Sequence, residues 1–313
     1  MVLCTGAIDA RAALSGAEPN YPNKPIRLVT GLAGGAADVL ARLTVQGISG
    51  PLGQTVVVDN RGGGLIPGEI VSKTPADGYT LLVTGGNLWI TALLQKAPYD
   101  AMKDFSPITV LVRTVTVLVV HPSVAASSVK ELIALAKAKP GQLNYGSGAT
   151  GGAGHLAGEL LKSMAGVNIV HVPYKGNAPQ VTGLITGEVH MVIGDVSLVM
   201  PHVKSGKLRA LAVTSAEQSA MVPGLPTVAA SGVPGYESGA IYGMWAPAKT
   251  PRAITQRLNQ EVVRYLRKPE AKEKFFNAGA EIVANSPEEF AAIIKSDIAK
   301  WGKLIKDVGI KGG

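Results

Sequence analysis

The sequence predicts an α/β protein of two lobes, each a mostly parallel sheet flanked by helices. Three observations lead there. The chain has 313 residues, too many for one ordinary core and enough for two of ~150 residues. From residue 24 to residue 214, strand-like and helix-like segments alternate, the pattern of βα units laid side by side. Hydrophobic residues make up 46% of the chain and mean hydropathy is +0.23, so packed cores are expected throughout.

In chain order, Pro25 to Thr30 reads as a strand. Residues 37–49 read as a helix with Val39, Leu40 and Leu43 inward. Thr55 to Asp59 and Tyr79 to Thr84 are further strands, and one long β-branched run extends from Thr109 to Val120. Ser128 and Glu131 form a capping box that opens a helix to Lys139. Strands follow at Asn168 to Val172, Val189 to Ile193 and Leu208 to Thr214, with a helix from Ala178 between them. Ile241 to Pro247 is expected as a strand crossing back. Thr250-Pro251 and Ser286-Pro287-Glu288-Glu289 are helix starts, a capping residue followed by proline at the first helical position. The last helix carries Phe290, Ile293, Ile294, Ile298, Trp301, Leu304, Ile305 and Val308 as one apolar stripe, expected to return onto the first lobe. The division that follows is 1–23 as a leader or tail, 24–122 with 238–313 as the first lobe, and 123–237 as the second.

The formal net charge is +8, spread as single residues without the runs or aromatic interleaving of a nucleic-acid surface. A field that gathers small anions is the functional counterpart of a merely solvated basic surface. The single cysteine, Cys4, excludes an internal disulfide. The five histidines lack ligand spacing, so no metal is expected, and no apolar run approaches the ~20 residues that span a bilayer. "MVLCTGAIDARAALSGAEPN" has neither a basic start nor a continuous apolar segment. It reads as the tail end of an export signal or as a disordered leader.

Two loops each follow a strand and open a helix: Gly31-Leu32-Ala33-Gly34-Gly35-Ala36-Ala37-Asp38, and Gly146 to His155. Side chains that would block access are missing, so backbone N–H groups at a helix start can face a carboxylate or a phosphate. Gly146, Gly148 and Gly151 also spell the dinucleotide pattern. That reading needs an acid at the end of the next strand to hold the ribose, and "NIVHVPY" offers His171, Val172, Pro173 and Tyr174. A nucleotide-dependent oxidoreductase is therefore the disfavoured alternative, no cofactor is expected, and no serine stands in a nucleophile elbow. His155 either donates to an anion or caps its own loop, and Asp38 is either a ligand or a helix cap. Gly194-Asp195 ends a buried strand, where a carboxylate suits an ammonium or a hydroxyl. Trp89 and Tyr174 either wall a pocket or fill the core.

"YPNKPIRLVTGLAGGAADVLARL", "PADGYTLLVTG", "KAPYDAMKDFSPIT", "SVKELIALAKAKPGQLNYGSGATGGAGHLAGELL", "VHVPYKGNAP", "GKLRALAVTS" and "PEEFAAIIKSDIAKWGKLIKDVGIK" occur in that order. Over residues 21 to 311 the chain resembles the solute receptors of tripartite tricarboxylate transporters, the Bug-type periplasmic binding proteins. The resemblance implies a type II periplasmic-binding-protein fold whose chain crosses twice between lobes. It also implies a monomer in the periplasm that holds a small carboxylic acid in the cleft and serves a membrane permease, or signals through a membrane partner. By position, the grip would fall on Leu32, Ala33, Gly34, Gly35, Ala36 and Asp38 in one lobe. In the other it would fall on Ser147, Gly148, Ala149, Thr150 and Gly151 with His155. Gly85, Gly86 and Asn87, together with Gly194 and Asp195, would complete the pocket, with Tyr174 as a wall. Two departures stand out: the first loop, Leu32-Ala33-Gly34-Gly35, is one residue shorter than usual, and Trp89-Ile90-Thr91 replaces a common I-N-P. A valine at Gly148 is expected to block the anion's place and leave the fold intact.

Overall fold

A computed structural model describes residues 20–148 and 150–310. Ala149, Cys4 and most of the expected leader lie outside the described residues. The first sheet holds β1 (Ile26–Thr30), β2 (Val56–Asn60), β3 (Thr80–Gly85), β4 (Phe105–Thr114), β10 (Ile241–Pro247) and β11 (Ala280–Ile282), in the order β11-β4-β10-β3-β1-β2. The second holds β5 (Thr116–Val120), β6 (Asn144–Ser147), β7 (Val170–Pro173), β8 (Met191–Asp195) and β9 (Arg209–Val213), in the order β7-β6-β8-β5-β9. β1 pairs in parallel with β2 and β3, and β6 in parallel with β7 and β8, the βα units read from the sequence. The strands that enter after a crossing, β10 and β5, pair antiparallel with their neighbours. Both sheets are therefore mixed, a parallel half joined to an antiparallel half.

The run from Thr109 to Val120 is not one strand. It breaks at Val115, and its two halves belong to different sheets. β4 lies between β10 and β11, while β5 lies between β8 and β9. The first crossing thus falls near residue 115 and not after 122, because β5 finds its partners in Met191–Asp195 and Arg209–Val213. The return crossing runs beside it, with Thr114 N–H donating to Ala240 O at 2.9 Å.

Helices cover both faces of each sheet. In the first lobe α1 (Ala36–Leu52), α8 (Arg252–Leu266) and α9 (Pro269–Asn277) bury Leu40, Ile48, Leu258, Val262 and Phe275 against one face. α2 (Ile66–Ser72), α3 (Asn87–Leu94) and the start of α10 (Pro287–Val308) cover the other, with Val71, Leu88, Trp89, Phe290 and Ile294. In the second lobe α4 (Val129–Ala138) and α5 (Ala153–Ala165) cover one face, and α6 (Asn177–Ile185) and α7 (Val196–Lys204) the other. Val39 of α1, expected inward, is 40% exposed.

The helix starts differ from expectation in instructive ways. At Ser286 the capping box is complete, with Glu289 N–H donating to Ser286 Oγ and Ser286 N–H to the Glu289 carboxylate. At α4 Ser128 does cap, but the Glu131 carboxylate accepts from Ser127 instead. Thr250 does not cap α8, since its hydroxyl donates to Pro247 O at 2.7 Å and Pro251 occupies the N-cap. The stripe of α10 is continuous, yet it serves two cores. Phe290 and Ile294 pack in the first lobe, and Trp301, Leu304 and Ile305 pack among Leu118, Leu132 and Leu156 of the second.

Candidate functional site: a cleft ringed by helix N-termini

Between the sheets lies a cavity of about 580 Å³, of the size that holds a small organic ligand. Three helix starts reach it: α1 at Gly35-Ala36-Ala37, α3 at Gly86-Asn87, and α5 at Gly152-Ala153. The N-caps Gly35, Gly86 and Gly152 make no side-chain cap bond. The two serine-capped helices, α4 and α10, begin elsewhere. Unsatisfied N–H groups at a helix start carry a partial positive charge of about half an electron and suit an anion. A second chamber of about 290 Å³ adjoins it and shares Ala36, Gly152, Ala153, Gly239, Ala240 and Tyr242 as common wall. The starts of α6 and α7 reach this chamber at Asn177 and Asp195. Among the described residues, no Lys, Arg or His lines either chamber, so an anion here meets backbone dipoles and not a counter-ion.

The first loop is held open by its own residues. Gly34, at φ +77°, donates its N–H to Asp38 Oδ2 at 2.9 Å, and Gly35 N–H donates to Leu32 O at 3.1 Å. Asp38 is 4% exposed and also accepts from Arg42 Nε and Asn60 Nδ2, each at 2.9 Å. Burial would raise its pKa, but the bonds from Gly34, Asn60 and Arg42 outweigh burial and hold it below the usual carboxylate range. Asn60 Nδ2 also donates to Gly31 O at 2.9 Å. Asp38 therefore braces the loop from behind. Leu32, Gly35 and Ala36 line the cavity, and Ala33 and Gly34 do not.

The second loop has an analogous brace. Gly151 N–H donates to His155 Nδ1 at 2.8 Å, which fixes that nitrogen as an acceptor and the ring as neutral. Burial lowers the His155 pKa. His155 stacks on His171 with ring centroids 3.9 Å apart, and His171 Nε2 lies 2.7 Å from Ser147 Oγ. Beneath them Tyr145 donates its hydroxyl to Glu159 at 2.7 Å, and Lys162 pairs with the same oxygen at 2.7 Å. Ser147 and His155 are buried in this network and do not reach the cavity wall. Thr150 and Gly151 line the large chamber, and Gly148 lines the small one.

At Gly148 the valine expectation fails. A Cβ there would overlap Asn177 Oδ1 and come within 3.0 Å of the Gly176 carbonyl carbon. The loop packs on the start of α6, so a larger residue disturbs the lobe as well as the site. Tyr174 fills the second lobe, its ring against Gly146 and Gly183. Trp89 is 1% exposed and meets Trp245 edge-on beneath Gly86, so it belongs to the first-lobe core. Gly86 and Asn87 line the large chamber, and Gly194 and Asp195 the small one.

Sequence reasoning missed several wall residues. Gly63 and Gly64 sit in a turn before α2, Ile90 and Leu94 lie on α3, and Gln95 is its C-cap. Asp297 and Trp301 come from α10. One signal was visible: Asp297 falls on the apolar stripe between Ile294 and Trp301, where a carboxylate has no packing reason to be. Burial raises its pKa, with Lys300 at 3.6 Å opposing.

The sequence pattern of the tripartite tricarboxylate transporter family receptor matches residues 40–310. The chain belongs to that family. It is 33% identical over 297 residues to protein BugT of Bordetella pertussis, covering 93% of this chain and 91% of BugT. Among solved structures it resembles Rhodopseudomonas palustris Rpa4515 with adipate, at 38% identity and TM-score 0.76 over 93% of this chain and 99% of that one. MatC from the same organism, with bound malate, is 25% identical with TM-score 0.73, over 91% and 100%. The fold is the two-lobed one of periplasmic binding proteins.

Proposed function

We propose that this receptor works in the periplasm, where it closes on a small carboxylate and delivers it to a membrane permease. One observation carries the reading. Three glycine-capped helix starts, from both lobes, converge on a cavity lined by no basic side chain among the described residues, a surface suited to an anion held by backbone N–H groups. Leu32, Gly35, Ala36, Gly86 and Asn87 form one jaw. Gly148, Thr150 and Gly151 form the other, with Asp38 bracing the first jaw and His155 the second. Rpa4515 with adipate and MatC with malate support a carboxylate as guest. Among the described residues the wall offers no nucleophile–base pair, since Ser147 and His171 are turned into the second lobe, which supports binding without catalysis. A single chain supplies both jaws, which favours a monomer.

A panel of mono- and dicarboxylates tests this by thermal shift and calorimetry. A binding acid raises the melting temperature further as its concentration rises. No response to any acid would refute the reading.

A further inference from the structure

We propose that the small chamber selects ligands carrying a hydrogen-bond donor, a hydroxyl or an ammonium, at the end opposite the carboxylate, through Asp195 and Gln180. The inference rests on the carboxylate reading above and refines it. The two chambers share Ala36, Ala153 and Tyr242 as common wall, so one elongated molecule can lie across both. Its carboxylate end belongs among the starts of α1, α3 and α5.

The other end meets acceptors. Asp195 is the N-cap of α7, yet its carboxylate makes no cap bond, and it receives one hydrogen bond, from Asn177 Nδ2 at 3.3 Å. A carboxylate offers about four acceptor positions, so most of its capacity is unused among the described residues, and Asp195 lines the chamber. Burial raises the Asp195 pKa, with Asn177 opposing. Gln180 also lines the chamber, is 2% exposed, and its Oε1 has no hydrogen-bond partner among the described residues. Buried acceptors are normally satisfied, and a rotation of the Gln180 amide would bring this one to a donor on the ligand. Three of the hydroxyls on the same wall are already engaged, while those of Ser197 and Tyr242 also line it. Thr114 donates to Ala240 O, Thr116 pairs with Thr214, and Ser238 pairs with Tyr236. A second carboxylate placed here would face Asp195 with no lining cation among the described residues to neutralise either charge, and close like charges cannot both stay ionised.

Calorimetry at pH 7.5 with two sets of acids tests the proposal. The six-carbon set is hexanoate, 6-hydroxyhexanoate, 6-aminohexanoate and adipate. The four-carbon set is butyrate, 4-hydroxybutyrate, 4-aminobutyrate and succinate. In at least one set a donor-ended acid should bind at least ~10-fold tighter than the parent acid and the diacid, the gain expected of a hydrogen bond to a charged group. The hydroxy and amino arms separate a neutral donor from a cationic one. Asp195→Asn should cut the preferred acid's affinity ~10- to 100-fold, strengthen diacid binding, and leave the parent acid within ~2-fold. Tighter diacid binding by the wild type in both sets, or unchanged ratios in Asp195→Asn, would overturn the proposal while leaving the carboxylate reading standing. Failure of every acid to bind would overturn that reading, and this one with it.

Discussion

His171 gives the fold a pH dependence whose sign and size follow from its surroundings. Burial, and the charge that a protonated His155 would set 3.9 Å away, push its pKa from 6.5 down to about 4. The other charged groups facing it are Glu159, which opposes the shift, and Lys162, which adds to it. In the unfolded chain it titrates near its ordinary value of ~6.5. As the pH falls from 6.5 toward 4, the unfolded chain takes up a proton that the folded ring refuses. Its stabilising effect is thus complete above 6.5 and is lost on the way down. At ~1.36 kcal/mol per pH unit the whole window amounts to about 3 kcal/mol, and partial solvent access reduces this to ~2 kcal/mol.

Urea unfolding of the wild type and of His171→Gln, from pH 7.5 to pH 4.5, isolates this contribution. Glutamine keeps a polar partner for Ser147 but does not titrate in the window. Subtracting the variant removes the acid sensitivity of Asp38 and Asp59, whose bonds to neighbours hold their pKa values down in both proteins. The stability difference should be flat above pH 6.5 and fall by ~2 kcal/mol at pH 4.5. A difference that stays flat to pH 4.5 would refute the neutral, stacked pair and its role in holding the second loop.

Three further outcomes are expected. Ala153→Leu, at a helix start that lines both chambers, should abolish carboxylate binding in calorimetry while the melting temperature stays within a few degrees, because leucine suits a helix. Trp301→Ala should cost ~3–5 kcal/mol in urea unfolding, as for other buried large aromatics, since Trp301 is 4% exposed within the second-lobe core. Asn285→Ala should cost ~1–3 kcal/mol by the same measurement, because Asn285 Oδ1 accepts from Val110 N–H at 2.8 Å and the deletion orphans a buried donor.

Most of the βα units were legible because each carries its own local signal: glycine after a strand, a capping serine, an apolar stripe of the right period. The break at Val115 was not. Thr109 to Val120 is β-branched except at Leu111, Arg113 and Leu118, with no turn residue at the change of sheet. The two halves part company only because their partners lie about 70 to 140 residues further along the chain. Both glycine loops were legible as turns between a strand and a helix, and both reach the cavity, but the direction of the side chains beside them was not. Asp38 and His155 occupy the same place in their two loops, four residues after Gly34 and Gly151. Each accepts that glycine's N–H from behind the loop. A helix start preceded by a positive-φ glycine turns the fourth side chain back toward the loop, and sequence spacing alone does not say which side of the backbone is wet.

The matching braces bear on how closure works. The crossing segments lie side by side through the Thr114–Ala240 hydrogen bond, and Arg113 pairs with Glu237 at 2.6 Å just outside it. α10 bridges the same gap, with Phe290 and Ile294 seated in one lobe and Trp301, Leu304 and Ile305 in the other. Its Lys300 donates to Glu237 O at 3.3 Å, while Asp297 and Trp301 line the cavity. Lobe motion must therefore pass through two short crossing segments and one helix that also lines the cavity. A ligand biases such a two-state element only by contacts that differ between its states. The starts of α1 and α5 belong to different lobes, so an anion touching both gains contacts on closure that neither lobe supplies alone. The jaws themselves are stiffened by Asp38 and His155. Binding free energy then goes into moving the lobes and not into ordering the loops.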